Sequence, residues 1–267
     1  MSRDLVLATA MGYGPGPVRR FVESLRRHYD GEIGFLVTSR GPNAQALLDY
    51  LRQWRVTPYF FDTALWMITD VQVGRYVRYY EILRGAAQPY DRVLFADVSD
   101  VIFQAHPFDD APVGDLLAFL EHPRQTIGAC QTNTMWVSDI FGLDMARQLA
   151  HCTVSCSGTT IGSHQAMCSY VEKMLSHAKP PVMMKLQGKR GHDQGIHNMM
   201  LHTGALPGVV QVENGTHVFT LGRVPDDEVK LAQDSILTPD GRKPAIIHQY
   251  NYRPAVNAWV EKAWPLG

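Results

Sequence analysis

Two carboxylates interrupt an apolar run in the stretch RVLFADVSDVIFQ, from Arg92 to Gln104. The residues Val93 to Phe95 are typical of a central parallel strand, because both faces of such a strand are buried. Asp97 therefore falls at the carboxyl end of the strand, which is the edge where open α/β sheets bind ligands. An ionised carboxylate there loses several kcal/mol of solvation free energy unless a cation or hydrogen-bond donors compensate it. Asp97 and Asp100 would also repel each other, so the pair indicates a divalent cation.

The spacing of the two acids requires a bend in the chain. Residues three apart on a straight strand point to opposite faces, so the carboxylates converge only if the chain turns at Val98 and Ser99. Hard oxygen ligands, with no cysteine expected nearby, favour Mg²⁺ or Mn²⁺ over zinc. In the alternative interpretation, Asp97 caps a turn and Asp100 is a solvated loop residue. The pair alone leaves both interpretations open.

Alternating strand and helix patterns predict the scaffold that positions these acids. The apolar runs DLVLATA, EIGFLVTS and VTPYFFD are separated by helical periodicity in PGPVRRFVESLRRHY and NAQALLDYLRQW, and the helix VGRYVRYYEILRGA precedes the acidic strand. This order predicts an α/β fold with a mostly parallel central sheet flanked by helices. We expect one domain over residues 1–267, with a nucleotide-binding half at 1–104 and an acceptor-binding half at 105–267.

The second half of the chain has a looser pattern. SCSGTT around Cys156 is typical of a turn, QAMCSYVEKMLSHA and HDQGIHNMML predict helices, and PAIIHQYNY predicts a late strand. The segment KLQGKRG, rich in lysine and glycine, leads into HDQGIHNMML. It suits either a mobile loop over a ligand or an ordinary solvated loop.

Composition excludes several functional classes. The chain is 45% hydrophobic and 19% charged, as expected for a globular enzyme. Its formal net charge of −1 lacks the basic field that nucleic-acid binding needs. The sequence has no apolar run of about 18 residues and no secretory signal pattern. We therefore expect a cytoplasmic protein without a transmembrane segment, with peripheral membrane contact left open.

A glycine-rich loop, MGYGPGPV, follows the first predicted strand and precedes the first predicted helix. It lacks the G-x-x-G step of the dinucleotide fingerprint, so hydride chemistry is disfavoured. The loop can still let the backbone approach a ligand closely, and Tyr13 offers a ring for stacking on a base.

Five motifs in chain order resemble those of the GT-A glycosyltransferases, in particular the retaining, glycogenin-like branch, and the resemblance covers the chain from Asp4 to Pro254. The motifs are YVRYYEIL, the acidic strand, CSGTTIGS, GHDQGIHN and AIIHQYNYRP. The sequence departs from the usual pattern in its D-x-x-D rather than D-x-D spacing and in Ser157, where that pattern has alanine. The first departure bears on which aspartate is the direct metal ligand.

The resemblance implies a UDP-sugar donor held with Mn²⁺ or Mg²⁺. It makes Asp97, Asp100 and His248 the metal ligands, with Asp97 also touching the ribose. The remaining donor contacts that it implies are Thr9, Tyr13, Arg78, Gly158, Asn251 and Arg253. Arg75, one turn from Arg78, competes for the same role. The alternatives are a structural His248 at the end of its strand and arginines that are plain surface charges.

Asp193 and Gln194 are implied to line the reacting end of the donor and the carbohydrate or glycoconjugate acceptor. In an inverting enzyme Asp193 would be the general base for the acceptor hydroxyl. In a retaining enzyme it would orient the sugar or stabilise positive charge, and the late histidine favours retention. Asp193 could instead be only the N-cap of its helix.

Two other functions compete with glycosyl transfer. A nucleotidyltransferase would need a G-G-x-G-x-R loop followed by a lysine, and MGYGPGPVRR does not match it. A non-catalytic sugar- or nucleotide-binding protein would use the acids structurally.

Overall fold

The protein has a mixed α/β architecture built on a central sheet of seven strands. The computed structural model describes residues 2–61, 70–178 and 191–265. The strands within these ranges are β1 Asp4–Thr9, β2 Glu32–Thr38, β3 Thr57–Phe61, β4 Arg92–Ala96, β5 Val101–Phe103, β6 Leu116–Leu120, β7 Ser155–Gly162, β8 Val209–Val212, β9 Val218–Thr220, β10 Lys230–Leu231, β11 Ile236–Leu237 and β12 Ile246–His248.

The order of the central sheet is β3-β2-β1-β4-β7-β6-β8. Strands β3, β2, β1 and β4 pair in parallel, as do β6 and β8. Strand β7 is antiparallel to both of its neighbours, β4 and β6. The expected mostly parallel sheet is confirmed, and it contains strands from both the 1–104 and the 105–267 segments.

Eight α-helices accompany the sheets in the described residues. They are α1 Pro15–Arg26, α2 Ala44–Gln53, α3 Val71–Arg84, α4 Gln131–Phe141, α5 Leu143–Gln148, α6 His164–His177, α7 His192–His202 and α8 Pro254–Ala263. Proline in the first turn of α1 and of α8 suits a helix start, because proline lacks the amide hydrogen that would be unpaired there. The Asp70 side chain caps α3 by accepting from the Gln72 amide at 3.0 Å.

Side-chain alternation along the strands divides the core into two layers. On β1, Leu5 and Leu7 pack with α3, α4, α6 and α7, whereas Val6 and Ala8 pack with α1 and α2. The period of two residues in a strand sends successive side chains to opposite faces. The helices therefore cover both faces of the central sheet and leave its strand ends to form the rim.

A second, three-stranded sheet in the order β5-β12-β9 joins the large sheet next to the acidic motif. After β4 the chain bends at Val98 and turns through Ser99 and Asp100 before it enters β5. The bend expected between the two carboxylates is therefore confirmed. Ile102 of β5 contributes to a third apolar cluster, which includes Val256 and Val260 of α8.

Two expectations about the second half of the sequence need correction. SCSGTT is not a turn, because Ser155–Gly162 forms the fully buried strand β7. Its small and hydroxylated residues concealed the strand pattern, although the segment is paired on both sides. The structure also contains α4 in a segment for which the sequence pattern gave no element. Residues 185–190, the first six of the KLQGKRG segment, lie outside the described residues.

Candidate functional site

Asp97, Asp100 and His248 meet at the junction of the two sheets. Asp97 follows the end of β4, and its backbone N–H donates to the Gly158 carbonyl of β7 at 2.8 Å. Asp100 directly precedes Val101, which is the residue paired with His248 across β5 and β12. Strand pairing thus brings the late histidine to the acidic turn. One ligand atom of each of the three side chains lies within 4.8 Å of the others.

The spacing of these atoms fits a shared divalent cation. His248 Nε2 lies 3.8 Å from Asp97 Oδ2 and 3.9 Å from Asp100 Oδ1. These separations are too long for hydrogen bonds. Two ligands each about 2.1 Å from one ion can be at most about 4.2 Å apart, so both separations are short enough for a common ion. The two carboxylates suit Mg²⁺ or Mn²⁺, and the imidazole nitrogen favours Mn²⁺ of the two, because Mg²⁺ prefers oxygen ligands.

Gly158 leaves the space in which Asp97 and His248 converge. A Cβ atom at this position would overlap Asp97 Oδ2 and would lie 2.6 Å from His248 Cε1. Atoms of real side chains do not approach so closely, so any other residue would force one of the two ligands to move. Gly158 therefore acts on the site through its lack of a side chain.

Arg75 on α3 joins the candidate metal site to Asp193 on α7. Its Nη1 atom donates to Asp97 Oδ1 at 2.7 Å, and its Nη2 atom donates to Asp193 Oδ2 at 2.8 Å. Ser157 Oγ adds a third hydrogen bond, to Asp193 Oδ2 at 3.0 Å. The side chains of Arg75 and Asp193 are only 7% and 4% exposed, respectively. Because the Arg75 guanidinium is almost inaccessible to solvent, its hydrogen bonds fix the orientation of the Asp97 and Asp193 carboxylates.

The pKa values follow from burial and this charge network. Burial raises the pKa of Asp97, but the Arg75 guanidinium and His248 outweigh it, so the carboxyl pKa lies below its ordinary value. Burial raises the pKa of Asp100, His248 partly offsets this, and Asp97 adds to it. Burial also raises the pKa of Asp193, to about 6, despite the opposing charge of Arg75. A cation beside Asp97 and Asp100 would stabilise both ionised forms.

Asp193 lies in the first turn of α7 but does not cap it. The N-cap is Gly191, whose φ of 90° is in the left-handed region that glycine adopts readily. The Asp193 side chain points to Arg75 instead, so the N-cap interpretation of Asp193 is wrong. Its neighbour Gln194 donates from Nε2 to Asn133 Oδ1 at 2.8 Å. The carboxylate and the carboxamide are thus both held in place by neighbouring side chains.

A cavity of about 310 Å³ opens at this rim of the sheet. It is lined by seven of the residues expected from the sequence or weighed with them, namely Thr9, Tyr13, Arg75, Asp97, Asp100, Asp193 and Gln194. Thr9 Oγ1 is 2.8 Å from the Tyr79 hydroxyl. The Asp97 side chain remains 39% exposed, so its second oxygen is accessible to a ligand.

Four of the donor contacts implied by the resemblance lie outside the cavity lining, namely Arg78, Gly158, Asn251 and Arg253. The candidate metal ligand His248 does not line the cavity either and is only 1% exposed. Arg78 forms an ion pair with Glu81 on the exposed side of α3, and of the two candidate arginines only Arg75 reaches the carboxylates. Arg253 donates to the Leu221 carbonyl and to Asp226. Asn251 is exposed in the 3-10 turn 250–252.

Several cavity residues escaped the sequence argument. Gln249 follows His248 with φ 56°, a left-handed conformation that is costly for a residue other than glycine. Its Nε2 atom lies 3.7 Å from Cys156 Sγ, so a thiol does line the cavity and the expectation of no nearby cysteine is wrong. Burial raises the pKa of Cys156 well above its ordinary value, which leaves the thiol protonated.

Two aromatic residues also line the cavity. The Trp136 ring packs so closely on Gly191 that a Cβ there would overlap the indole. Tyr252 lies in the 3-10 turn after His248 and is 66% exposed. Trp136 lies in none of the five motifs, and Tyr252 lies in AIIHQYNYRP, from which no role was implied for it. The placement of the two rings depends on α4 and on the turn that follows β12.

No family model matches this chain, and no curated protein matches its sequence. Among the helices of the described ranges, none is both long enough and apolar enough to cross a membrane. The site geometry and the motif pattern are therefore the basis for a functional proposal.

Proposed function

We propose that this protein is a metal-dependent glycosyltransferase with a GT-A-like fold, which transfers a sugar from a nucleotide-diphosphate donor, a UDP-sugar, to a hydroxyl acceptor. The observation that carries the proposal is the convergence of Asp97, Asp100 and His248 at the rim of the sheet, next to a polar cavity. The Arg75 guanidinium connects Asp97 of this trio to Asp193, which also lines the cavity.

The order of groups around the cavity fits a donor of this class. The carboxylates and the imidazole lie where a diphosphate would need charge compensation, and Thr9 and Tyr13 line the region after β1, where a base and ribose would lie. When bound at the trio, Mg²⁺ or Mn²⁺ supplies Lewis-acid stabilisation of the diphosphate leaving group. The bond between the anomeric carbon and the diphosphate oxygen would break, with its electron pair leaving on the diphosphate. The acceptor oxygen would bond to the anomeric carbon, and the proton of the acceptor hydroxyl would pass to the departing diphosphate.

Arg75 has a positioning role in this proposal. Each of its two terminal nitrogens donates a hydrogen bond to a carboxylate. The bond to Asp97 Oδ1 holds this side chain in the orientation in which Oδ2 faces His248. The planar guanidinium suits this task, since it donates to two groups at fixed angles. A lysine at this position could not span Asp97 and Asp193 in the same way.

Asp193 and Gln194 are assigned to the reacting end of the sugar. Asp193 carries a carboxylate that is ionised above pH 6 and held by Arg75 and Ser157. Gln194 is fixed by Asn133 and offers its remaining amide hydrogen to a ligand. We propose retention of anomeric configuration, with Asp193 orienting the sugar and stabilising positive charge that develops at the anomeric carbon.

Donor turnover tests the proposal. Purified protein with Mn²⁺ is supplied with UDP-glucose, UDP-galactose and UDP-N-acetylglucosamine, and free UDP is measured. We expect UDP release from one donor, its loss in excess EDTA, and its loss in Asp97→Ala and His248→Ala proteins that still unfold cooperatively. His151→Ala, which removes an exposed histidine, is the matched control and keeps full activity. Full activity of both site variants in EDTA would contradict the proposal.

The same preparation separates the competing functions. A nucleotidyltransferase would release pyrophosphate from UTP and a sugar phosphate, and a non-catalytic binding protein would bind UDP with Mn²⁺ without turning over any donor. Either result would replace glycosyl transfer as the function of this site.

A further inference from the structure

A second cavity, of about 170 Å³, adjoins the first. Four residues line both cavities, namely Trp136, Gln194, Gln249 and Tyr252. Because Gln194 follows Asp193, the second cavity lies beyond the proposed reacting end of the donor. A ligand in it would face the sugar that a ligand in the first cavity presents.

The side chain that distinguishes the second cavity is Glu121. It directly follows β6, which runs in the same direction as β4 because β7 between them is antiparallel to both, so Glu121 and Asp97 lie at the same edge of the sheet. Its backbone N–H donates to the Val154 carbonyl at 2.7 Å. The residue is only 5% exposed, yet its carboxylate lines the cavity.

The Glu121 carboxylate has no hydrogen-bond partner among residues 2–61, 70–178 and 191–265. The charged group that acts on it is the exposed Arg223, which also lines the cavity but forms no ion pair with it within the same ranges. Burial raises the pKa of Glu121 to about 7, against the opposing charge of Arg223. A buried acid without a partner is costly, and a ligand that donates hydrogen bonds removes that cost.

The other lining groups indicate which ligand fits. Gln125, Thr132 and Asn133 supply amides and a hydroxyl, while Trp136 and Tyr252 supply aromatic surface. Rings that cover the apolar face of a ligand, together with a few fixed polar groups at its edge, suit a molecule with hydroxyls around a flat apolar face. A sugar ring has this character, whereas an apolar or anionic ligand would leave Glu121 uncompensated or repelled.

We infer that the second cavity is the acceptor site and that Glu121 accepts a hydrogen bond from a hydroxyl of a carbohydrate acceptor whose ring contacts Trp136 and Tyr252. This assignment rests on the proposed glycosyl transfer. The assignment adds to that proposal the location of the acceptor, the chemical class of the acceptor and a residue that determines the affinity for it.

The test uses four disaccharides as probes, namely cellobiose, maltose, lactose and N,N′-diacetylchitobiose. Their binding to the 267-residue chain is measured by saturation-transfer NMR, with and without UDP and Mn²⁺. We expect at least one probe to bind, and its dissociation constant to rise about tenfold or more in Glu121→Gln, because the amide is a weaker acceptor than a carboxylate. Glu213→Gln changes an exposed acid and is the matched control. It should behave as the wild type does.

Thr132→Trp provides a second variant that does not depend on the tolerance of a buried site. Thr132 is exposed at the start of α4 and lines the second cavity but not the first. The larger side chain should abolish disaccharide binding and leave Mn²⁺-dependent UDP binding unchanged. The inference is overturned if no probe binds, or if the probes bind equally to the wild type and to Thr132→Trp or a folded Glu121→Gln.

The two proposals can fail separately. If UDP does not bind in the presence of Mn²⁺ but a disaccharide binds in a manner that depends on Glu121, then the donor proposal fails and the carbohydrate site stands. If UDP binding depends on Mn²⁺ and disaccharide binding is absent, then only the acceptor assignment fails.

Discussion

Replacing Arg75 by methionine should destabilise the protein more than any other single arginine substitution on α3. The guanidinium is 7% exposed and donates to two carboxylates, at 2.7 Å and 2.8 Å. Its removal leaves Asp193, which is 4% exposed, with only the hydrogen bond from Ser157. Breaking a buried ion pair by removal of one partner costs about 3–5 kcal/mol. The Asp97 side is partly exposed, so solvent screens its share, and the estimate rests on Asp193.

Thermal unfolding followed by circular dichroism measures this effect. For a protein of this size, each kcal/mol lowers the midpoint by about 2–4 °C, so Arg75→Met should unfold roughly 6–20 °C below the wild type. Arg78→Met is the matched control, because Arg78 pairs with Glu81 at the surface. Such a pair contributes about 0–1 kcal/mol. The control should therefore unfold close to the wild type and retain Mn²⁺-dependent UDP binding.

A double variant tests the physical reason for the loss. Asp193→Asn combined with Arg75→Met removes the uncompensated charge as well as the arginine, so part of the lost stability should return. Equal midpoints for Arg75→Met and Arg78→Met would refute the reasoning, and so would a double variant less stable than Arg75→Met alone. Either outcome would mean that the buried pair does not hold α3 and α7 together.

Three further predictions follow from the site. Gly158→Ala places a Cβ atom against Asp97 Oδ2 and His248 Cε1, so the affinity for Mn²⁺ measured by calorimetry should fall about 10–100-fold. An unchanged affinity would show that the two side chains do not need the space that Gly158 leaves. Because the pKa of Asp193 is raised to about 6, its carboxylate binds a proton below pH 6, and kcat/KM for sugar transfer should fall about tenfold per pH unit there. A flat kcat/KM profile between pH 4.5 and 6 would exclude the proposed role of the Asp193 carboxylate at the reacting end of the sugar. The folded-state pKa of Glu121, about 7, exceeds its ordinary value of 4.5, so the wild type loses stability as the pH rises between these values. Denaturant unfolding should therefore give Glu121→Gln a free energy of unfolding roughly 3 kcal/mol above that of the wild type at pH 8.5, and nearly the same value at pH 5. A difference that does not change with pH would contradict this prediction.

Asp97 was predictable because ligands bind at the carboxyl ends of the strands in open α/β sheets. An apolar run followed by an acid indicated the rim of the sheet at Asp97, and the structure places it there. The same signal occurs in LLAFLE, where Glu121 follows β6, but the looser strand and helix pattern around this segment does not mark it as a strand of the central sheet. By contrast, His248 and Asp193 came from motif order, since neither has a local signal that distinguishes a site residue from a structural one.

The choice between Arg75 and Arg78 required tertiary structure. Helix α3 buries residues around much of its circumference, including Val73, Tyr76 and Tyr79. Its apolar pattern therefore defines no single inward face, and the sequence could not tell which arginine points to the carboxylates. Gln249 was equally hidden, because its left-handed backbone is imposed by the turn after β12 rather than by a residue type that favours this conformation.

The central claim is that Asp97, Asp100 and His248 bind one divalent cation together with a nucleotide diphosphate. Anomalous diffraction from a crystal soaked with MnCl₂ and UDP tests it most directly. The account predicts one manganese peak within about 2.5 Å of a ligand atom from each of the three side chains, with a diphosphate oxygen completing the contact. A peak elsewhere, or bound UDP without manganese at these residues, would contradict it.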